Sequence, residues 1–258
     1  MTHISFPILS TGPLTASHIK RASFSSRNKK TAGIIGGLGP QSTGLFYEAM
    51  TQYCLKHNLP SFPRLLINSV NTWEVTQILQ RRDYEELYLF LKHEIALIAD
   101  KVDFVVMVCN SVHAVIDEIR AEFNVPILAI YEEVCEKIAY SPVKKVGIIG
   151  TKTTTSNNFY QRELSNYGID YVCLPETQEK AIDSCIFNEM LHGRSKDTMR
   201  NLILEGIEYM KQQGCEGVIL ACTELPLFVR QEDTNMPLFM STQILAQAVT
   251  EECFKRGY

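Results

Sequence analysis

Two stretches of this chain read alike, and they stand 113 positions apart. Val105-Val106-Met107-Val108-Cys109-Asn110-Ser111 is an apolar run that ends in a cysteine and small polar residues. Val218-Ile219-Leu220-Ala221-Cys222-Thr223-Glu224 follows the same plan. Other landmarks return in the same order. Gly33-Ile34-Ile35-Gly36 recurs as Gly147-Ile148-Ile149-Gly150, Phe46-Tyr47 as Phe159-Tyr160, and Val125-Pro126-Ile127 as Met236-Pro237-Leu238. Near-constant spacing over so many landmarks implies a duplicated unit. Two copies make two similar lobes rather than a solenoid.

Each unit alternates short apolar strands with amphipathic helices, which implies a mostly parallel sheet covered by helices on both faces. In the first unit the expected strands are 32–35, 64–70, 104–108 and 125–130. The expected helices follow Gln41-Ser42-Thr43 as a cap, then span 74–82, 84–100 and 112–123. In the second unit strands are expected at 145–149, 170–174, 217–221 and 236–240. Thr151 to Thr155 reads as a polar turn, with Ser156 capping a helix to Tyr167. Further helices are expected at 178–191, 196–213 and 242–255. Ligands of parallel sheets sit at the carboxyl ends of the strands. Both cysteines, the Gly36–Pro40 turn and the Thr151–Thr155 turn lie there. A pseudo-twofold axis would bring all four into one cleft between the lobes.

Composition narrows the chemistry. A chain of 258 residues has room for about one to two domains. Its net charge of −4 argues against nucleic acid or a membrane surface as partner. No apolar run approaches the ~20 residues of a membrane span. None of the eight cysteines forms a C-x-x-C pair, which favours neither zinc nor a disulfide framework. Free thiols point to a reducing, cytoplasmic setting. Residues 1–30 are Ser-rich, basic and free of acid. Such a leader fits a solvated tail, and organelle targeting stays open. The glycine turn lacks the third glycine of G-x-G-x-x-G, since Ser42 stands there, and no Walker lysine follows.

A cysteine at a strand end where a helix begins should have its pKa lowered from about 8.5. Two such thiols across a bound carbon suit a proton transfer that inverts a stereocentre. Asn110, Ser111, Thr223 and nearby backbone N–H groups could hold a carboxylate. His113 could polarise a thiol, although a lone histidine in a first helical turn is more often a satisfied structural group. Glu224 could bind a substrate ammonium, tune the thiol, or simply complement a helix N-terminus.

With these residues in view, the chain resembles the aspartate/glutamate racemase family. The resemblance rests on Gly33 to Thr43, on Cys109-Asn110-Ser111-Val112-His113 and on Ala221-Cys222-Thr223-Glu224. It spans about 31 to 256. It implies two α/β lobes, no cofactor or metal, an amino-acid substrate, a homodimer, and a two-thiol racemisation by Cys109 and Cys222. It also implies that the last strand and helix return to the first lobe. The lobes would then be 31–130 plus 241–258, and 131–240, with 1–30 as an extension. Asn110, Ser111, Thr151, Thr154 and Thr223 carry over as substrate contacts, and Lys180 as the family's lysine, while Glu224 stays a candidate contact from its place beside Cys222. One departure stands out. The family's aspartate racemases carry an arginine after the second strand that reaches the side-chain carboxylate, and Asn68 to Val75 holds none. Aspartate or glutamate is the first expectation for the substrate. A broad-specificity amino-acid racemase, an isomerase of another small acid such as maleate, and a ligand-binding protein without catalysis are the alternatives.

Overall fold

The computed structural model describes residues 30–192 and 196–255. The expectation of an extension over 1–30 therefore falls, apart from Lys30, outside the described residues. The first half runs β1 (Thr31–Gly36), α1 (Pro40–Lys56), β2 (Arg64–Ser69), α2 (Thr72–Arg81), α3 (Tyr84–Ala96), β3 (Phe104–Met107), α4 (Ile116–Glu122), β4 (Ile127–Leu128) and α5 (Ile130–Ala139). The second half runs β5 (Lys145–Gly150), α6 (Lys152–Ser156), α7 (Phe159–Asn166), β6 (Asp170–Cys173), α8 (Glu176–His192), α9 (Lys196–Gln212), β7 (Gly217–Ala221), β8 (Leu238–Met240) and α10 (Ser241–Phe254).

The duplication is visible in the topology. One sheet has the order β2-β1-β3-β4 and the other β6-β5-β7-β8, with every neighbouring pair parallel. The central strands are buried on both faces, as all-parallel sheets require: β3, β7 and nearly all of β1 and β5 are inaccessible. Ile34 pairs with Val106, and Ile148 with Ile219, so the two cysteine-bearing strands hold the same place in their sheets. Helix α10 supplies Leu245, Ala246, Val249 and Cys253 to the apolar cluster that contains Ala32, Ile34, Phe46 and Met50. The last helix thus packs on the first strand and first helix, whereas the last strand does not return with it as expected: β8 pairs with β7 and stays in the second sheet. A second cluster joins the halves, with Val134 and Ile138 of α5 against Phe159, Tyr160 and Leu164 of α7.

Several local expectations need correction. Cys109 is followed by a 3-10 turn, Ser111–Val115, and α4 begins only at Ile116. Thr151–Thr155 is not a free turn, because Thr151 caps α6 through its side chain. Ser156 ends that helix, and Asn158 in a left-handed conformation opens α7. Helix α1 starts at Pro40 with no side-chain cap, which leaves Ser42 and Thr43 for other partners. The strand expected over 125–130 is only β4, because Ile130 already opens α5, a helix the sequence reading did not anticipate.

Candidate active site

Both cysteines leave the carboxyl ends of central strands and turn inward. Cys109 is 8% exposed and Cys222 6%. Their thiols do not have the depressed pKa expected from helix N-termini. Burial pushes Cys109 up to about 12, the Glu224 carboxylate adds to this, and backbone N–H groups of Val112 and Ser111 offset only part. Cys222 is raised well above the usual thiol range by burial and then by Glu224, with a further contribution from Cys109. The physical reason is local. A five-residue 3-10 turn after Cys109 and a three-residue one, Leu225–Leu227, after Cys222 replace the α-helical N-termini. Such turns carry little of the aligned dipole of a full helix, while desolvation acts in full.

Glu224 is the buried carboxylate of this site. Its Oε1 accepts from Ser42 Oγ at 2.6 Å, and its Oε2 from Thr223 Oγ1 at 3.0 Å and Cys222 Sγ at 3.5 Å. Burial raises its pKa, and these donors act in the opposite direction. Gly39 makes room for it, since a Cβ there would lie 1.7 Å from Glu224 Oε1. The glycine turn thus receives a carboxylate from the second sheet. Its shape is held by Gly37, at φ +77, whose N–H donates to Thr43 Oγ1 at 2.9 Å and whose carbonyl accepts from Thr72 Oγ1 at 2.6 Å.

The hydroxyls form a second link between the sheets. Ser111 Oγ lies 2.8 Å from Thr151 Oγ1 and 3.4 Å from Thr154 Oγ1, and the two threonine oxygens are 3.0 Å apart. Asn110 is deeper. Its Oδ1 accepts from Tyr160 OH at 2.7 Å, and its Nδ2 donates to Ser241 Oγ at 3.0 Å. Cys109, Cys222, Asn110, Ser111, Thr151, Thr154, Thr223 and Glu224 are all buried at the facing strand ends. Lys180 is not gathered with them. It is exposed on α8 and pairs with Glu176 at 2.7 Å, one helical turn away. In the segment that lacks the arginine, Asn68 donates to Glu94 Oε2 at 2.7 Å and Asn71 caps α2.

His113 is structural. Its Nε2 accepts from the backbone N–H of Ile130 at 3.3 Å, so its Nδ1 carries the proton and donates to the Cys109 carbonyl at 2.9 Å. Burial lowers its pKa to about 4. Ser42, Tyr160 and Ser241 are the site residues that sequence reasoning missed. Tyr160 stood out only as a repeat landmark, and nothing in the sequence marked Ser42 as a partner of residue 224. A surface hollow of about 800 Å³ beside Arg120, Tyr131 and Arg162 includes none of these residues. Among the described residues no group of His, Cys, Asp and Glu is placed to hold a metal ion, and no helix is long and apolar enough to cross a membrane.

Comparisons with known proteins agree on one family. The model of the family described as Asp/Glu/hydantoin racemase matches residues 35–249. The broad specificity amino-acid racemase RacX of Bacillus subtilis is 27% identical over 223 residues, which cover 84% of this chain and 95% of that protein. A glutamate racemase of Hydrogenobaculum is 30% identical over 149 residues, or 55% of this chain and 53% of its own. Among solved structures, an aspartate racemase homologue from Pyrococcus horikoshii has a TM-score of 0.71 at 32% identity, covering 86% of this chain and 98% of that one.

Proposed function

The chain belongs to the Asp/Glu/hydantoin racemase family and is an isomerase of its amino-acid racemase type, and from that premise we propose that it interconverts free L- and D-amino acids by proton transfer between Cys109 and Cys222, with no cofactor. The observation that carries this reading is the pair of buried thiols at equivalent strand ends, with the charge of one acting on the other. One thiolate removes the α-proton from one face of the substrate, and the opposite thiol delivers its own proton to the other face. Burial makes a thiolate rare, yet it also makes the thiolate a stronger base once formed. Asn110, Ser111, Thr151, Thr154 and Thr223 supply hydroxyl, amide and backbone donors for the α-carboxylate. In the same reading 31–130 with 241–258 forms one lobe and 131–240 the other.

On the side chain, the geometry favours the broad-specificity alternative over aspartate or glutamate. The charge acting on both thiols is the Glu224 carboxylate, with Cys109 acting further on Cys222. Lys152 and Lys180 both face Glu176 instead. A site without a fixed cation gives a side-chain carboxylate no special hold. We also keep the homodimer, because the β2 edge and the adjoining α2 expose Ile67 and Trp73; a monomer in sedimentation equilibrium would remove it.

The test is incubation in D₂O, without added cofactor, with L-aspartate, L-glutamate and uncharged L-amino acids. Chiral chromatography and loss of the α-proton signal are read together. Deuterated D-amino acid is expected, fastest from uncharged substrates. Replacing Cys109 or Cys222 with Ala should abolish turnover and leave the fold intact. Wild-type turnover by either variant would end the two-thiol reading.

A further inference from the structure

Glu224 has two oxygens and two different kinds of neighbour. Oε2 faces the Cys222 thiol, the reacting atom of the second sheet. Oε1 faces Ser42, a fully buried hydroxyl in the first turn of α1, which packs on the first sheet. The bond from Ser42 therefore crosses from one half of the molecule to the other, over 182 positions of sequence. It is also short and nearly dry, where a hydrogen bond to a charged group is strong. The space for it exists because residue 39 has no Cβ. Helix α1 could have used a polar cap at its start and does not, so Ser42 is left for Glu224.

We propose that Ser42 is a positioning residue which, reaching across from α1, holds Glu224 as the acceptor of the Cys222 proton. This rests on the two-thiol reading and adds to it the origin of the working thiolate. The step balances simply. The Cys222 S–H bond breaks, its proton bonds to Glu224 Oε2, and the electron pair stays on sulfur. Cys222 thiolate then takes the α-proton of the substrate, and Cys109 gives up its own proton on the opposite face. The Cys109 thiolate left behind is the base for the reverse direction. Glu224 keeps the extra proton throughout, so the pair of thiols shares one negative charge.

The arrangement also couples catalysis to geometry. If the halves part, Ser42 leaves Glu224, and the Cys222 proton loses an acceptor held in line with it. The titratable groups that face Glu224 are Cys222 on its own loop and Cys109 from the other sheet; α1 contributes only the neutral Ser42.

The experiment compares wild type with Ser42→Ala and Ser42→Thr, using kcat, KM and the pH profile of kcat/KM. Ser42→Ala should lower kcat by ~10-fold or more with little change in KM, and should move the acid limb upward by roughly one to two pH units. Ser42→Thr restores the hydroxyl and should return the limb to its wild-type place. The limb is read from active molecules, so it does not depend on how much of the variant folds. The two enantiomers have equal free energy, so kcat/KM must fall by the same factor in both directions, which checks the assay. An unmoved acid limb in Ser42→Ala, or a threonine variant that behaves like alanine, overturns the proposal. Cys109→Ala and Cys222→Ala run alongside. If either turns over, the two-thiol reading fails; if both are inactive while the Ser42→Ala limb stays put, only the role of Ser42 fails.

Discussion

The candidate site residues were legible as positions, and much less so as environments. Cys109 and Cys222 could be picked from eight cysteines because they recur at matching places, each followed by small polar residues. Their protonation could not be read, because it depends on burial and on a carboxylate whose approach is set by tertiary structure. His113 shows the same limit and gives a clean test. Its folded-state pKa of about 4 lies below the ordinary 6.5. As pH falls through 6.5 the unfolded chain takes up the proton first, so stability is lost between about pH 6.5 and 4 and is complete above that window. The loss attributable to this group is at most about 3 kcal/mol. In His113→Asn the amide can still donate to the Cys109 carbonyl, yet nothing titrates. The difference in unfolding free energy between wild type and His113→Asn, from urea titrations, should shrink as pH drops from 7 to 4.5. A difference that stays constant with pH would mean that the imidazole is not buried neutral.

At the level of elements, strand identity followed from apolar runs and repeat spacing, whereas the order of strands in each sheet and the segment starts did not. Helix α5 went unseen because its apolar positions Ile130, Val134, Cys135 and Ile138 follow directly on the strand-like run at 125–130. The 3-10 turn after Cys109 went unseen because its sequence, Ser-Val-His-Ala-Val, suits either helix type. The glycine turn separates two uses of one residue type. Gly37 is left-handed, and a Cβ there would sit 2.4 Å from the Val70 carbonyl oxygen, which is backbone and cannot move aside. Gly37→Ala should therefore cost about 1–3 kcal/mol of stability, seen as a lower urea midpoint. At Gly39 the obstruction is the tip of Glu224, a side chain that can swing away. Gly39→Ala should keep most of its stability and lose most of its racemase activity. The opposite pattern, with Gly39→Ala unstable and Gly37→Ala merely inactive, would mean that the turn has been misassigned.

For the molecule as a whole, the duplication announced two sheets, but no sequence pattern says which loops of one meet which loops of the other. The structure supplies that pairing: the glycine turn receives Glu224, and the loop after Cys109 meets Thr151 and Thr154. These contacts close over thiols that are 8% and 6% exposed. For a substrate to reach thiols this covered, the hydroxyl seam is expected to loosen, which a variant of the seam can test. Ser111 is the seam's member from the first half. In Ser111→Ala the direct links to Thr151 and Thr154 are gone, and the open form should be populated more often. The consequence is measurable without substrate. Alkylation by iodoacetamide, followed site by site in a mass spectrometer, should speed up at Cys109 and Cys222 in the variant. Cys173, half-buried behind Gln161, should react at an unchanged rate and serves as the internal reference. A uniform increase at all cysteines would indicate general loosening rather than opening at the seam. Equal rates in wild type and variant would show that the hydroxyls do not hold the halves together.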